Sequence, residues 1–150
     1  MERDTKRMQE AVQRSWNYNV SFDFDADLVK HISKSCGSIA LKDASGYLQF
    51  IKYHSGEKFW GFSVDEIGFL YGTFCKKHFR LMEIAVKKES QNKGYGSFML
   101  SMLFEECAKR GISAITLRTS RDETAHLWYR KLGAEYVGTK DNDYEMRFII

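Results

Sequence analysis

Apolar positions in the second half of the chain alternate between strand-like runs and helical spacing. Residues 79–86 form an almost continuous apolar run, which predicts a strand in the interior of a sheet. Residues 96–110 carry apolar side chains at helical spacing, and Gly111 follows as a stop signal, which predicts a helix. The same reasoning predicts a strand over 114–119, a helix over 122–132 and a strand over 144–150. This order predicts an α/β or α+β fold.

Residues 1–36 have a helical pattern. Met8, Val12 and Trp16 recur at intervals of four and predict an amphipathic helix whose apolar stripe docks on the same chain or on a partner. A second short helix is predicted over residues 25–35. Both a monomer and a homodimer are compatible with this N-terminal region.

The stretch between these regions is less regular. Residues 38–41 and 47–53 flank a turn-forming segment and predict a β-hairpin. Residues 59–74 are rich in aromatic side chains and fit a strand, a helix or a loop equally well. These aromatics either line a binding site or form core; they are Trp60, Phe62, Phe69, Tyr71 and Phe74.

Composition narrows the class of protein. A chain of 150 residues with 43% hydrophobic residues fits one globular domain. The N-terminus has no secretory pattern, and the longest apolar stretch is far shorter than the roughly 20 residues of a membrane span. The net charge of +3 permits an anionic ligand but does not indicate nucleic acid. We therefore expect a cytoplasmic protein with neither a membrane nor a nucleic-acid partner.

Cysteine usage indicates a reducing compartment. The chain has three cysteines, Cys36, Cys75 and Cys107, an odd and widely spaced set that argues against a disulfide scaffold. Cys75 and His78 have the spacing of two metal ligands, but no second pair stands at zinc-site spacing. We expect no metal.

The turn from Gln91 to Gly96 has the chemistry of a phosphate cradle. It joins the predicted strand to the start of a helix, where unpaired N–H groups and the helix dipole attract anions. Gly94 and Gly96 let an anion approach the backbone, and Lys87, Lys88 and Lys93 add positive charge. Neither a dinucleotide fingerprint nor a Walker loop fits the glycine spacing. The glycines alone fit a turn without a ligand equally well.

Two blocks together resemble a known family. Residues 86–96 are similar to the acetyl-CoA motif of GNAT acetyltransferases, Gln/Arg-x-x-Gly-x-Gly/Ala. Residues 122–133 resemble the family's element Asn-x-x-Ala-x-x-Leu/Phe-Tyr-x-x-x-Gly-Phe, with Asp122 in place of asparagine and Ala134 in place of phenylalanine. The resemblance covers about residues 79–150.

The resemblance implies one GNAT-like domain over residues 1–150. Its mixed central sheet would change from antiparallel to parallel, be flanked by helices, and splay between the strands at 79–86 and 114–119. Acetyl-CoA is the implied co-substrate. The implied contacts are Ile84, Ala85, Val86, Gln91, Asn92, Lys93, Gly94, Tyr95, Gly96, Ser97, Asp122, Ala125 and Tyr129. The exchange at Asp122 puts its contact in question, because a carboxylate accepts hydrogen bonds but cannot donate as an amide does.

Two residues are candidates for proton transfer. Tyr129 matches the family's tyrosine near the CoA sulfur, a frequent general acid, and would otherwise be a core residue. Glu83 is the charged residue within the apolar run and could act as general base, directly or through water. Pairing with a cation on a neighbouring strand, for example Arg118, is the commoner role for such a carboxylate.

The favoured function is therefore acetyl transfer from acetyl-CoA to a primary amine of a small molecule or protein, by direct attack in a ternary complex. A second hypothesis is a CoA-binding sensor or interaction protein without turnover. A third is a nucleic-acid-associated protein that uses the lysines at 87–93, which the modest charge disfavours.

Overall fold

The computed structural model describes residues 18–36 and 44–150. The strands are β1 (Val20–Ser21), β2 (Phe59–Val64), β3 (Gly68–Phe74), β4 (His78–Val86), β5 (Ala114–Ser120), β6 (Glu135–Lys140) and β7 (Asp143–Ile149). The helices are α1 (Ala26–Cys36), α2 (Ala44–Ser55), α3 (Tyr95–Lys109) and α4 (Ala125–Lys131). Within these ranges no helix combines the length and the apolar character needed to cross a membrane.

The described strands form one mixed sheet in the order β1-β2-β3-β4-β5-β7-β6. Every neighbouring pair is antiparallel except β4 and β5, which run parallel. That parallel pairing extends only from His78 opposite Ala114 to Arg80 opposite Thr116. Beyond this point the two strands are no longer paired, so the sheet opens between them. The predicted fold class, including the splay between these strands, is confirmed.

Helices cover the two faces of the sheet. One hydrophobic cluster joins the sheet to α3 and α4, and a second joins it to α1 and α2. Within β4, Phe79 and Leu81 belong to the α3/α4 cluster, whereas Ala85 belongs to the α1/α2 cluster. The change of face occurs at a β-bulge. Glu83 pairs with Tyr71 and Leu81 pairs with Gly72, so Met82 is an extra residue of β4 without a partner on β3.

The hairpin predicted over residues 38–53 is wrong in its second half, because residues 47–53 belong to helix α2. Aromatic and β-branched residues in this stretch favour a strand locally, but the buried positions follow a helical interval. Leu48 and Ile51, three residues apart, are 1% and 7% exposed and pack in the α1/α2 cluster. Residues 38–41 and the stripe of Met8, Val12 and Trp16 lie outside the described residues.

The aromatic stretch 59–74 forms the antiparallel strands β2 and β3. Asp65 and Glu66 make the turn between them, both with positive φ, 52° and 58°. The sequence signal was weak because asparagine and glycine, which tolerate this conformation best, are absent from those two positions. Phe62, Phe69 and Tyr71 are fully buried, so these aromatics form core.

The remaining boundaries agree closely with the sequence, with two exceptions. The helix predicted from residue 122 begins at Ala125, because residues before it form a turn in which the Asp122 N–H donates to Ser120 Oγ (3.2 Å). Strand β6 was not predicted: its side chains are mostly exposed, so it lacks the apolar alternation of a half-buried strand. The predicted helix over 25–35 is confirmed as α1.

Candidate active site

A cleft of about 1230 Å³ lies where β4 and β5 separate. From Leu81 to Val86, β4 keeps β3 as a partner on one side and has no pairing with β5 on the other. Backbone N–H and C=O groups on that open side therefore face the cleft without a strand partner. Such groups need hydrogen bonds from a ligand or from water. The opening thus offers hydrogen bonds to an extended ligand that carries amide groups.

The turn before α3 closes one end of the cleft. Asn92 and Gly94 both have positive φ, 63° and 94°, so the backbone reverses twice before the helix starts. The first hydrogen bond of the helix runs from the Phe98 N–H to the Gly94 carbonyl (3.0 Å), and the N–H groups before it have no acceptor within the helix. A Cβ at Gly94 would meet nothing within 4 Å, so the space in front of this nest of N–H groups is open. Such a nest binds anions.

Gly96 has a different role from Gly94. A Cβ at Gly96 would lie 2.9 Å from the indole of Trp128, which projects from α4. The absence of a side chain at this position lets α4 pack directly against the first turn of α3. The two sequence blocks that carry the family resemblance are therefore in contact.

The end of β4 is held by side chains. The Val86 carbonyl accepts hydrogen bonds from Gln91 Nε2 (3.1 Å) and from Cys36 Sγ (3.1 Å). These two donors occupy both lone pairs of that oxygen. The Gln91 side chain is consequently directed to the strand end, where it fixes the turn, and only its backbone remains for an anion.

Most of the sequence-predicted site residues line the cleft. They are Glu83, Ile84, Ala85, Val86, Gln91, Asn92, Gly94, Tyr95, Gly96, Ser97, Ala125 and Tyr129. Lys93 and Asp122 do not line it. The Asp122 carboxylate instead accepts a hydrogen bond from Asn142 Nδ2, in the turn between β6 and β7. Glu123 and Thr124, the next two residues, line the cleft in its place.

Glu83 is a partly buried carboxyl inside the cleft. Burial raises its pKa from the ordinary 4.5 to about 8, and the nearby Tyr71 hydroxyl lowers the pKa by a smaller amount. Tyr71 stands directly opposite Glu83 on β3, but its hydroxyl does not reach hydrogen-bond geometry with the carboxyl, and Glu83 Oε2 has no partner among the described residues. Pairing with Arg118, considered from the sequence, is wrong: Arg118 Nη2 lies 3.0 Å from Asp143 Oδ2 and 3.7 Å from Asp141 Oδ2.

Tyr129 approaches the same space from α4. Its ring is buried and packs edge-on to Phe148, so the side chain is held in one place. Burial raises the pKa of Tyr129, and the charge of Glu83 raises the pKa further. Both the Tyr129 phenol and the Glu83 carboxyl line the cleft between β4 and β5.

Several lining residues escaped the sequence reasoning. Tyr47 and Phe50 project from α2, and Arg80 and Asp143 from β4 and β7. The incorrect strand over 47–53 concealed the first two. A helical reading of Leu48 and Ile51 would have left Tyr47 and Phe50 on an adjacent face, which is the signal that was available.

The cleft therefore combines an open strand edge, an anion nest and two groups capable of proton transfer, as expected of a protein that binds a long anionic thioester for acyl transfer. A sequence model of the acetyltransferase (GNAT) domain matches residues 55–133, just over half of the chain. The chain belongs to the GNAT acetyltransferase family. No curated protein sequence matches it.

Solved structures share the fold. PaiA N-acetyltransferase from Thermoplasma acidophilum, in complex with coenzyme A, superposes with a TM-score of 0.72 at 16% identity, covering 89% of this chain and 99% of its own. The ribosomal-protein-S18-alanine N-acetyltransferase from Escherichia coli has a TM-score of 0.71 at 21% identity, with 89% and 94% covered. An aminoglycoside 6′-N-acetyltransferase complexed with coenzyme A has a TM-score of 0.65 at 16% identity, with 87% and 96% covered.

At these identities the structural similarity establishes the fold, while the family model establishes the family. The predicted family, an acetyl-CoA-dependent N-acetyltransferase, and the predicted co-substrate are confirmed.

Proposed function

We propose that this protein transfers the acetyl group of acetyl-CoA to a primary amine of a small molecule or protein, by direct attack in a ternary complex. Residues 1–150 would form one domain, and the reaction would take place in the cytoplasm. The observation that carries the proposal is that Glu83, Tyr129 and the anion nest line one cleft at the opening between β4 and β5. The neighbours named above act on both acceptor classes, an alanine of a ribosomal protein and an aminoglycoside.

The residues present fit the co-substrate. The N–H groups of residues 92–97 would hold the pyrophosphate, because they combine the positive end of α3 with open space in front of Gly94. The open edge of β4 from Ile84 to Val86 would hold the amide-bearing pantetheine arm. When bound, acetyl-CoA supplies an acetyl group that is activated as a thioester.

Glu83 would accept the proton that the amine must lose in order to attack. A base works best when its pKa is close to the working pH, and burial brings the pKa of Glu83 to about 8. This value is close to the range of roughly 7.7–8.0 for an α-amino group and well below about 10.4 for a lysine. The free energy of proton transfer to Glu83 is therefore close to zero for an α-amino group and unfavourable for a lysine side chain.

Tyr129 would stabilise the leaving thiolate. A thiol has a pKa of about 8.5, and the pKa of Tyr129 is raised above its ordinary value of 10.0, so complete proton transfer from the phenol is unfavourable. A hydrogen bond from the buried Tyr129 hydroxyl to the developing negative charge remains favourable. We accordingly assign Tyr129 the role of hydrogen-bond donor, with water as the final proton source.

The test combines binding with turnover. Acetyl-CoA should raise the Tm of the protein, and thiol release should follow when a panel of amines is added between pH 7 and 9.5. Glu83→Gln is the matched variant: it should keep the thermal stabilisation and lose most of the thiol release. Stabilisation without turnover of any amine would favour the sensor hypothesis, and the absence of any stabilisation by acetyl-CoA would overturn the proposal.

A further inference from the structure

We propose that Arg80 forms an anion subsite on the acceptor side of the cleft, so that the acceptor is a small amine which carries its own carboxylate or phosphate group. This inference rests on the proposed function and specifies its substrate class. Two independent features support it: the position of Arg80 relative to Glu83, and the absence of a competing acid among the described residues.

Arg80 and Glu83 lie on the same face of the sheet. In β4, Phe79 and Leu81 point to the α3/α4 cluster, so Arg80 between them points to the other face. Glu83 stands opposite Tyr71, a member of the α1/α2 cluster on that other face. Both residues line the cleft. A base for the amine and a cation therefore share one wall.

Arg80 has no acidic residue directly opposite it on the neighbouring strands. Directly opposite it stand Thr73 on β3 and Thr116 on β5, neither of which is charged. Within residues 18–36 and 44–150, the salt bridges of the structure do not include Arg80. Its exposed guanidinium is thus a cation in the cleft whose charge no described side chain neutralises.

The other arginine of this wall differs in that respect. Arg118 also lines the cleft, but Asp143 and Asp141 hold it in ion pairs. Glu83 does not compensate Arg80 either, because burial keeps much of this carboxyl neutral near pH 7. Of the two arginines that line this wall, Arg80 is therefore the one whose guanidinium has no ion pair among the described residues.

Tyr47 lines the same cleft as Arg80, Glu83 and Arg118. Burial raises the pKa of the Tyr47 hydroxyl, the charges of Arg80 and Arg118 lower this pKa, and the charge of Glu83 raises it. Tyr47 and Phe50 of α2 form the outer wall of this space. Along the strand, Arg80 and Glu83 are on the order of 10 Å apart at most. One small molecule can therefore present an amine to Glu83 and an anionic group to Arg80.

The test compares acceptors that differ only in charge. Thiol release from acetyl-CoA should be measured with β-alanine, β-alaninamide and propylamine, and with phosphoethanolamine against ethanolamine. We expect kcat/KM to be about 10-fold or more higher for an anionic acceptor than for its neutral counterpart, since a hydrogen bond to a charged group has this strength. The two sets of acceptors distinguish a carboxylate from a phosphate, and short peptides with an acidic second residue test whether a polypeptide serves instead.

Three variants isolate Arg80. Arg80→Gln should lower kcat/KM for the anionic acceptor to the value of its neutral counterpart, whereas Arg80→Lys should restore part of the difference. Arg147→Gln is the matched control. Arg147 on β7 is paired with Thr116 of β5, as Arg80 on β4 is, but Arg147 does not line the cleft. It should leave the preference unchanged.

A readout without turnover separates the two proposals. The anionic amine should add thermal stabilisation to the protein saturated with CoA, and Arg80→Gln should abolish that increment. Equal use of charged and neutral amines by wild type and Arg80→Gln would overturn the subsite while leaving acetyl transfer intact. A failure of every amine to release thiol would overturn the proposed function, and the CoA-saturated melting experiment would still decide on Arg80.

Discussion

The carboxyl of Glu83 links stability to function, and its replacement by glutamine tests both. The pKa of Glu83 lies at about 8 in the folded protein against an ordinary 4.5. At about 1.36 kcal/mol per pKa unit, ionising this group in the folded state costs at most about 5 kcal/mol. Part of the residue is open to the cleft, so solvent reduces this cost, and we expect a measurable effect of about 2 kcal/mol.

The sign follows from linkage. Because the folded pKa is the higher one, the neutral carboxyl favours the folded state, and its contribution is fully present below pH 4.5. It is lost progressively as the pH rises towards 8, and the loss is complete above that value. Glu83→Gln, which cannot ionise, should match wild type near pH 4.5 and exceed it in stability above pH 8, by roughly 4–8 °C in Tm.

The assay is chemical and thermal denaturation of both proteins between pH 4.5 and 9.5. The control variant is Glu57→Gln, which replaces an exposed carboxyl just before β2. The same variant should lower kcat/KM by about 100-fold or more, as expected for the loss of a general base. Deprotonation of the acceptor should make the rate of both proteins rise with pH. The wild type should show a second rise around pH 8 from ionisation of Glu83, and Glu83→Gln should lack it. Parallel curves of stability against pH for wild type and Glu83→Gln would refute the burial of a neutral carboxyl.

The remaining predictions concern the neighbours of this group. Tyr129→Phe should lower kcat by about 10- to 100-fold with little change in Tm, because the ring keeps its packing and only one hydrogen bond is lost; an unchanged kcat would remove Tyr129 from the mechanism. Gly96→Ala should cost about 1–3 kcal/mol and weaken the stabilisation by acetyl-CoA, because its Cβ would meet Trp128 at 2.9 Å; unchanged melting curves would contradict that crowding. Asp122→Asn should leave the KM for acetyl-CoA within about 2-fold. Asp122→Ala should lower the Tm by roughly 2–4 °C, since Asn142 loses its acceptor; a large change in this KM would restore a role for Asp122 in CoA binding.

The sequence supported prediction where local rules and tertiary packing agree. The run from 79 to 86 is largely apolar because β4 lies inside the sheet, paired with β3 along its length and with β5 at its start. Gly111 ends α3 because it adopts a positive φ of 70° just after the helix. The turn 91–96 was predicted as a phosphate cradle because glycine spacing and helix polarity are local properties, and all of its residues except Lys93 line the cleft. In each of these cases the information lies within about ten residues of the chain.

Prediction failed where the decisive partner is remote in sequence. Helix α2 carries aromatic residues that favour strands, and only its packing on α1 and on the sheet selects the helix. Asp122 was expected at the co-substrate, but its partner, Asn142, lies 20 residues away. Arg118 was considered for Glu83, yet Asp143 is directed to it by the pairing of β5 with β7. A local sequence pattern does not predict which of these distant residues become partners.

The bulge at Met82 brings Arg80 and Glu83, the proposed subsite and the proposed base, to one face of β4. In a regular strand, Arg80 and Glu83 would point to opposite faces, because they are an odd number of residues apart. The extra residue on β4 cancels that difference, so the cation and the carboxyl share the face covered by α1 and α2. The cancellation takes place next to the point where β5 leaves β4. One local irregularity therefore places both the proposed base and the proposed anion subsite beside the open strand edge.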